Sequence, residues 1–311
     1  MKIVFMGTPD FAVEALKAII QAGHEVLCVV TQPDKPKGRG KEMQFTPVKQ
    51  CAQVYQIPVL QPVKVREAES VEALRALGAD IFVVAAFGQI LPKEILTMPK
   101  YGCVNIHASL LPKYRGAAPI QWAVINGEKE SGVTIQQMGE GIDTGDILLK
   151  RAIPLEPKET GESLYDKLSK LGAELIVEVL PEIEAGKVIP EKQDEAQSTH
   201  VGKITKALGQ IDWNKSAAEL ERLVRGLNSW PSAYTSFHGK NLKIWEAEVL
   251  GEKENGEPGS VDEVTKTSVI INTGDGKLAL TSVQLEGKKR MEVKDFLLGY
   301  KIEAGEKLGV C

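Results

Sequence analysis

Residues 103–148 read CVNIHASLLPKYRGAAPIQWAVINGEKESGVTIQQMGEGIDTGDIL, and the rest of the chain is arranged around this stretch. Val104 to His107 reads as the end of a strand that runs into a loop at Ser109. Side chains two apart on a strand share a face, so Asn105 and His107 point the same way. Leu111-Pro112 stops the strand, and Arg115-Gly116 turns the chain into the helix-like run AAPIQWAVIN. A second strand-like run, Gly132 to Met138, leads to turns at Gly139, Gly141 and Gly145 that carry Asp143. Polar groups at a strand end, opposite an aspartate on a glycine-rich loop, mark a candidate site.

The three residues support a definite chemistry. Asn105 can donate an amide N–H to an oxygen that gains negative charge. His107 can take and return a proton near neutral pH, and Asp143 can orient the ring or favour its charged form. Cys103, two before Asn105, reads as a buried and inert thiol, so no activated nucleophile accompanies the trio. Direct acyl transfer or hydrolysis is the fitting reaction class. A lone histidine would be read as satisfying buried backbone. Asn-x-His followed by SLLP and IDTGD favours function.

The run Asn105 to Gly116, NIHASLLPKYRG, resembles the signature of the 10-formyltetrahydrofolate-using formyltransferases, and Asp143 in GIDTGDIL completes their Asn/His/Asp set. The resemblance implies catalytic roles for Asn105, His107 and Asp143, with 10-formyltetrahydrofolate as formyl donor, tetrahydrofolate as product and no metal. It implies that Ser109, Leu110, Leu111 and Pro112 lie against the folate; as residues alone they read as a rigid turn, and both can hold. In related folate enzymes the loop after the Asp80–Ala86 strand holds the pterin ring by main-chain contacts, here on Gly88, Gln89, Ile90 and Leu91. Taken locally, those four residues equally suit a plain strand-to-helix loop.

A chain of 311 residues exceeds the usual single domain, so two domains are expected. Hydrophobic content of 43% and charged content of 26% are those of a soluble globular protein, and no apolar run approaches membrane-spanning length. A net charge of −4 argues against bulk nucleic-acid binding, so a polyanionic partner must be met by a local patch. Four cysteines (Cys28, Cys51, Cys103, Cys311) and four scattered histidines show no metal-type spacing, and no signal peptide is evident. Reduced thiols in a cytoplasmic protein, monomeric in form, are the expectation.

Lys2 to Met6, a turn at Gly7-Thr8-Pro9, the amphipathic run FAVEALKAIIQAG and the strand His24 to Thr31 make a Rossmann-type start. Its turn is GTPDFA rather than GxGxxG, and Pro9 stands where a phosphate-gripping loop wants a free N–H, which argues against dinucleotide binding. Asp80 to Ala86 is a continuous apolar strand, typical of a sheet covered on both faces. Thr160 to Gly186 is a long helix; 190–199 is polar and aperiodic, a linker or a strap across the surface. From about Lys206 the texture changes. A capped helix, SAAELERLVRGLN, is followed by short alternating runs, which read as a small OB-like antiparallel barrel. The expected architecture is α/β: a Rossmann-like open-sheet formyltransferase domain over 1–189, a linker over 190–206 and an OB-like domain over 207–311. Trp213, Trp230 and Trp245 could stack on bases, but packing in the core or between domains is the expectation for each.

The segment QPDKPKGRGKEMQFTP, 32–47, remains. Between Pro33 and Lys49 the cations Lys35, Lys37, Arg39, Lys41 and Lys49 oppose only Asp34 and Glu42. Glycines and prolines keep the segment irregular, and long loops inside compact domains are usually functional or disordered. A phosphate-rich ligand would be met here. This loop, the SLLPKYRGAAPIQ form of the signature and the IDW…WPSAY start of the second domain resemble the branch of the family that acts on initiator methionyl-tRNA. Relatives acting on UDP-amino-arabinose, or hydrolysing the folate, carry a similar second domain without such a loop. The resemblance thus implies a tRNA-binding role for Lys35, Lys37, Arg39 and Lys41 and for the OB-like domain. A non-catalytic RNA-binding module on the same fold is the alternative, against which the intact trio counts.

Overall fold

The protein is described from a computed structural model, which covers residues 1–37, 42–251 and 256–309. The chain divides into two compact units.

The first unit comprises residues 1–119, 130–154 and 165–201. It opens with β1 (Lys2–Gly7), α1 (Phe11–Gln21) and β2 (Glu25–Val30), then a short antiparallel pair, β3 (Lys35–Lys37) with β4 (Glu42–Gln44). α2 (Pro47–Val54), β5 (Val59–Leu60), α3 (Ala68–Ala76), β6 (Ile81–Ala85) and α4 (Lys93–Leu96) follow. In chain order then come β7 (Cys103–His107), β8 (Arg115–Gly116), α5 (Pro119–Ile125, which belongs to the second unit from Ile120), β9 (Glu130–Gln137), β10 (Ile147–Pro154), α6 (Gly161–Glu184, in the first unit from Tyr165) and β11 (His200–Val201).

Seven strands form one sheet in the order β10-β9-β7-β6-β1-β2-β5. The five from β7 to β5 are parallel, and β9 and β10 join antiparallel. β6 is buried at every position because both faces of the sheet are covered. α1 turns Phe11, Ala12, Ala15, Leu16 and Ile19 inward, the spacing of one helical face. Thr46 caps α2 by accepting from Lys49 N at 3.2 Å, with Pro47 in the first turn where its missing N–H costs nothing. Strand β7 alternates. Cys103, Asn105 and His107 share the face on which Cys103 joins the core of Val4, Met6, Phe82 and Val84. Ile106 faces the other way, against Gly172 of α6.

The segment after α6 is the strap, not the free linker. β11 pairs with β8, and Glu191 exchanges backbone hydrogen bonds with Ile147 at 2.7 and 2.9 Å. Its partners lie far back in the chain, which is why its own composition looks like linker.

The second unit comprises residues 120–129, 155–164 and 202–311. Its antiparallel sheet contains β12 (Ala233–Phe237), β13 (Lys240–Leu250), β14 (Val261–Val264), β15 (Val269–Asn272), β16 (Lys277–Leu285) and β17 (Met291–Glu292). α7 (Ala217–Gly226) starts with the capping box Ser216/Glu219 and lays Ala217, Leu220, Leu223 and Val224 on a core shared with Ile244, Leu278 and Leu280. α8 (Val293–Gly299) adds Val293 and Phe296 to the same core. Trp213 is in that core, as expected. Trp230 is not: it is 58% exposed and lines a cleft of 610 Å³ with Lys206, Tyr234 and Lys243. Lying within the 227–231 turn, it lacks the strand alternation that would have fixed its direction. Trp245 is half-buried under the Arg290 guanidinium, 5.0 Å from its ring centre.

Candidate active site

β1, β6 and β7 are parallel neighbours in the sheet, so Gly7, Ala85 and His107 all sit at carboxyl ends on one side of it. Chain order reverses about β1, and open α/β sheets bind ligands outside the carboxyl ends at such a point. β7 delivers His107 to this edge, and the β9–β10 connection brings Asp143 to it.

His107 Nδ1 lies 3.6 Å from Asp143 Oδ1, an ion-pair distance too long for a direct hydrogen bond. The other ring nitrogen, Nε2, is 3.0 Å from the Tyr114 carbonyl. A carbonyl only accepts, so Nε2 carries a hydrogen and Nδ1 is the atom free to take a proton; the tautomer is assigned from these bonds. The ring is buried, with 6% of the residue exposed. Asn105 stands two residues before it, half-buried, and its side-chain amide has no hydrogen-bond partner among the described residues. An amide with two unused donors at the mouth of a site is suited to an incoming oxygen.

Asp143 is held from three directions. Its Oδ2 accepts from Gly116 N at 2.9 Å, and its Oδ1 accepts from Gln136 Nε2 at 2.9 Å. Its main-chain carbonyl accepts from Gln193 Nε2 at 2.8 Å, which also donates to Gly145 O at 2.7 Å. The residue takes a left-handed conformation, φ +54°, which aspartate tolerates better than most side chains. Gly145 is obligatory in this loop, because a Cβ there would meet Gln137 O at 1.6 Å.

Behind the loop lies Arg115, 1% exposed. Its Nε and Nη2 donate to Gln193 Oε1 at 3.0 and 2.8 Å, and Nη1 and Nη2 clasp the Glu195 carboxylate at 2.9 and 2.7 Å. The guanidinium hydrogen-bonded to Glu195 holds that carboxyl below the usual carboxylate range. Gln136, Gln193 and Arg115 were not singled out from the sequence. Gln136 was findable in principle, since it lies opposite Asn105 once β7 and β9 are paired. Gln193 sits in the polar strap and carries no sequence signal.

The turn 109–112 is stapled to β9. Thr134 Oγ1 donates to Ser109 O at 2.7 Å and accepts from Leu111 N at 3.1 Å, while Ser109 Oγ donates to Lys113 O at 2.7 Å. Leu111 is a core residue. Leu110 is half-buried over Gly132, where a Cβ would come within 2.5 Å of its methyl carbon. In the loop after β6, Leu91 belongs to the core and Ile90 is 77% exposed. The Gln89 side chain is used internally, accepting from Val65 N at 2.7 Å and donating to Pro62 O at 3.0 Å. Gly88 is exposed beside it.

Of the basic loop, Arg39 and Lys41 lie outside the described residues. Lys35 is exposed on β3, and Lys37 follows on the same strand. Lys49, counted among the loop's cations, is an anchor instead: it pairs with Asp34 and donates to Gln61 Oε1 at 2.8 Å. Gln61 in turn donates to Asp34 Oδ1 at 2.8 Å, closing the foot of the loop. The Asp34 carboxyl is lowered in pKa: burial opposes this, but the Lys49 and Gln61 bonds outweigh it.

Comparison with known proteins decides the family. The profile of the formyl transferase family matches residues 1–180, and that of the formyl transferase C-terminal domain matches residues 203–301. The chain belongs to the formyl transferase family. A methionyl-tRNA formyltransferase from Agathobacter rectalis is 57% identical over 305 residues, which span 98% of each chain. Among solved structures, the N-formyltransferase from Helicobacter canadensis, in complex with folinic acid and dTDP-3-aminofucose, has a TM-score of 0.66 at 22% identity. That match covers 90% of this chain and 98% of the other. The methionyl-tRNA formyltransferase from Clostridium thermocellum has a TM-score of 0.55 at 18% identity, covering 81% and 95%. The two structures speak for the formyl transferase fold, an α/β unit followed by an antiparallel one.

Proposed function

We infer that the chain transfers the formyl group of 10-formyltetrahydrofolate to the α-amino group of initiator methionyl-tRNA. The observation that carries this reading is the end-to-end likeness to methionyl-tRNA formyltransferases, 57% identical across both units. The folate supplies a formyl carbon on N10, bonded to an atom that can leave with a proton. Everything else is work for the protein's own side chains.

Asn105 donates its free amide N–H to the formyl oxygen as that oxygen gains charge, the role of an oxyanion donor. His107 takes the surplus proton of the attacking amine at Nδ1, beside the Asp143 carboxylate, and returns one toward the departing N10. Model α-amino groups have pKa values of about 7.7–8.0, so a sizeable minority of the amine is neutral at pH 7 without help. Asp143 keeps its carboxylate in place through Gly116 and Gln136. The half-buried Asn105 and the largely buried His107 suit a folate-type ligand, whose flat ring excludes water from the edge of the sheet. Ser109–Pro112 and the main chain of Gly88–Leu91 flank that edge as folate contacts. Lys35, Lys37, Arg39 and Lys41 meet the tRNA, with the OB-like unit as a further tRNA surface.

The test is direct. Purified protein, 10-formyltetrahydrofolate and initiator methionyl-tRNA should yield N-formylmethionyl-tRNA. Release of free formate, or formylation of a nucleotide-linked amino sugar in its place, would overturn the assignment.

A further inference from the structure

We propose that Gln136 is a positioning residue for formyl transfer, a carboxamide bridge tying the Asn105 amide to the Asp143 carboxylate. The proposal rests on the formyl-transfer reading above. Gln136 lies on β9 directly opposite Asn105 on β7, and Thr134 lies opposite His107. Asn105, His107, Thr134 and Gln136 therefore share one face at the end of the sheet. Gln136 is 1% exposed, and its Nε2 donates to Asp143 Oδ1 at 2.9 Å.

That bond fixes which way round the amide stands. Turned about, its carbonyl would face a carboxylate oxygen, two acceptors with no hydrogen between them. Gln136 Oε1 is thus directed away from Asp143, and it is buried without a hydrogen-bond partner. Native interiors rarely keep such an acceptor unpaired, so an orphan of this kind calls for an explanation.

Asn105 supplies one. Its side chain has no hydrogen bond among the described residues, although the amide carries two N–H donors. Residues directly opposite in an antiparallel pair have Cβ atoms about 4.5–5.5 Å apart, within reach of two amide side chains. A turn about the side-chain torsions of Asn105 brings one Nδ2–H onto Gln136 Oε1. The second N–H then has a single direction, toward the half-open side from which an acyl oxygen must approach. One hydrogen bond satisfies the orphan acceptor and orients the unassigned donor. Glutamine suits the position because one amide offers the donor that Asp143 needs and the acceptor that Asn105 needs. Methionine fills the same volume with neither, and glutamate sets a second carboxylate against Asp143.

The experiment compares Gln136→Met and Gln136→Glu with wild type in the formylation assay, together with thermal unfolding. Gln136→Met should lose roughly 10- to 100-fold in kcat, the size expected when reacting groups are displaced by a fraction of an ångström. KM for both substrates should hold within about twofold, and Tm should change little, because methionine fills the same volume and Asp143 keeps its bond from Gly116 N. Gln136→Glu should be more impaired at pH 8. Its rate relative to wild type should recover as pH falls toward 6, where a protonated carboxyl can again donate to Asp143. A Gln136→Met enzyme within twofold of wild type in kcat would overturn the bridge, as would parallel loss of kcat and Tm, or a Gln136→Glu ratio that does not change with pH. A wild-type protein that transfers no formyl group at all would overturn the functional reading itself, so the two failures are distinct.

Discussion

The buried guanidinium of Arg115 donates twice to Gln193 Oε1, and Gln193 Nε2 passes the connection on to the main-chain carbonyls of Asp143 and Gly145. A charged side chain deep in the first unit thereby sets the backbone of the loop that carries the aspartate. Gln193→Ala should release that loop while leaving the Asp143 side-chain bonds to Gly116 and Gln136. The expected result is a kcat lowered about tenfold, with about 1–2 kcal/mol lost in urea unfolding. Arg115→Lys should not rescue the function of Arg115, because an ammonium cannot hold Gln193 and Glu195 at once. An Arg115→Lys enzyme with wild-type kcat would show that the network is decorative.

Asn105→Ala, His107→Ala and Asp143→Ala should each lower kcat by about 10²–10⁴-fold with the fold intact by circular dichroism. In the proposed mechanism the three serve one transition state, so double variants should fall well short of multiplicative loss. If His107→Ala kept more than about a tenth of the activity, the proton transfer at Nδ1 would have to be assigned elsewhere.

The two leucines of the 109–112 turn should separate. Leu111 is core, so Leu111→Phe should lower Tm by overpacking, at a cost of about 1–3 kcal/mol. Leu110 is half-buried over Gly132, and Leu110→Phe should weaken folate binding more than tRNA binding, with little change in Tm. Equal loss of both ligands, measured by fluorescence titration, would reduce this turn to scaffold.

The basic loop is tested by salt. Arg39→Ala and a Lys35/Lys37/Lys41 triple alanine variant should weaken tRNA binding and leave folate binding nearly unchanged. Every phosphate deprived of its cation should flatten the plot of log K against log salt by about 0.9, or about 0.7 on a single strand. Parallel slopes for wild type and both variants would leave the loop without a role in tRNA binding.

Burial pushes the Cys103 thiol up to about 12 from an ordinary value of 9.0. A thiol raised in the folded state stays protonated there while the unfolded chain ionises. Its contribution is complete below pH 9 and is lost as pH climbs toward 12. Stability should therefore fall more steeply above pH 9 in wild type than in Cys103→Ala, by at most about 1.4 kcal/mol per pH unit. Urea unfolding at pH 8, 9.5 and 10.5 reads the difference, and identical slopes would mean that the thiol is not shielded.

The amino-acid sequence by itself determined the architecture and marked the candidate trio. Short apolar runs rich in β-branched residues, such as Ile81–Ala85, read as strands covered on both faces, and the two-residue period of β7 put Asn105 and His107 on one side. The capping box at Ser216 and the turn glycines marked the elements of the second unit just as locally. These are short-range properties, written in neighbouring residues. The supports of the site are long-range. Gln136 meets Asn105 only through the pairing of β7 with β9, and Arg115 meets Gln193 and Glu195 across 78 and 80 residues of chain. Lys49 looked like one more free cation until Asp34 and Gln61 were placed around it. A polar side chain is neither functional nor structural by its type. Its partner decides, and partners far apart in the chain are brought together only when the sheet is assembled and the strap is laid across it.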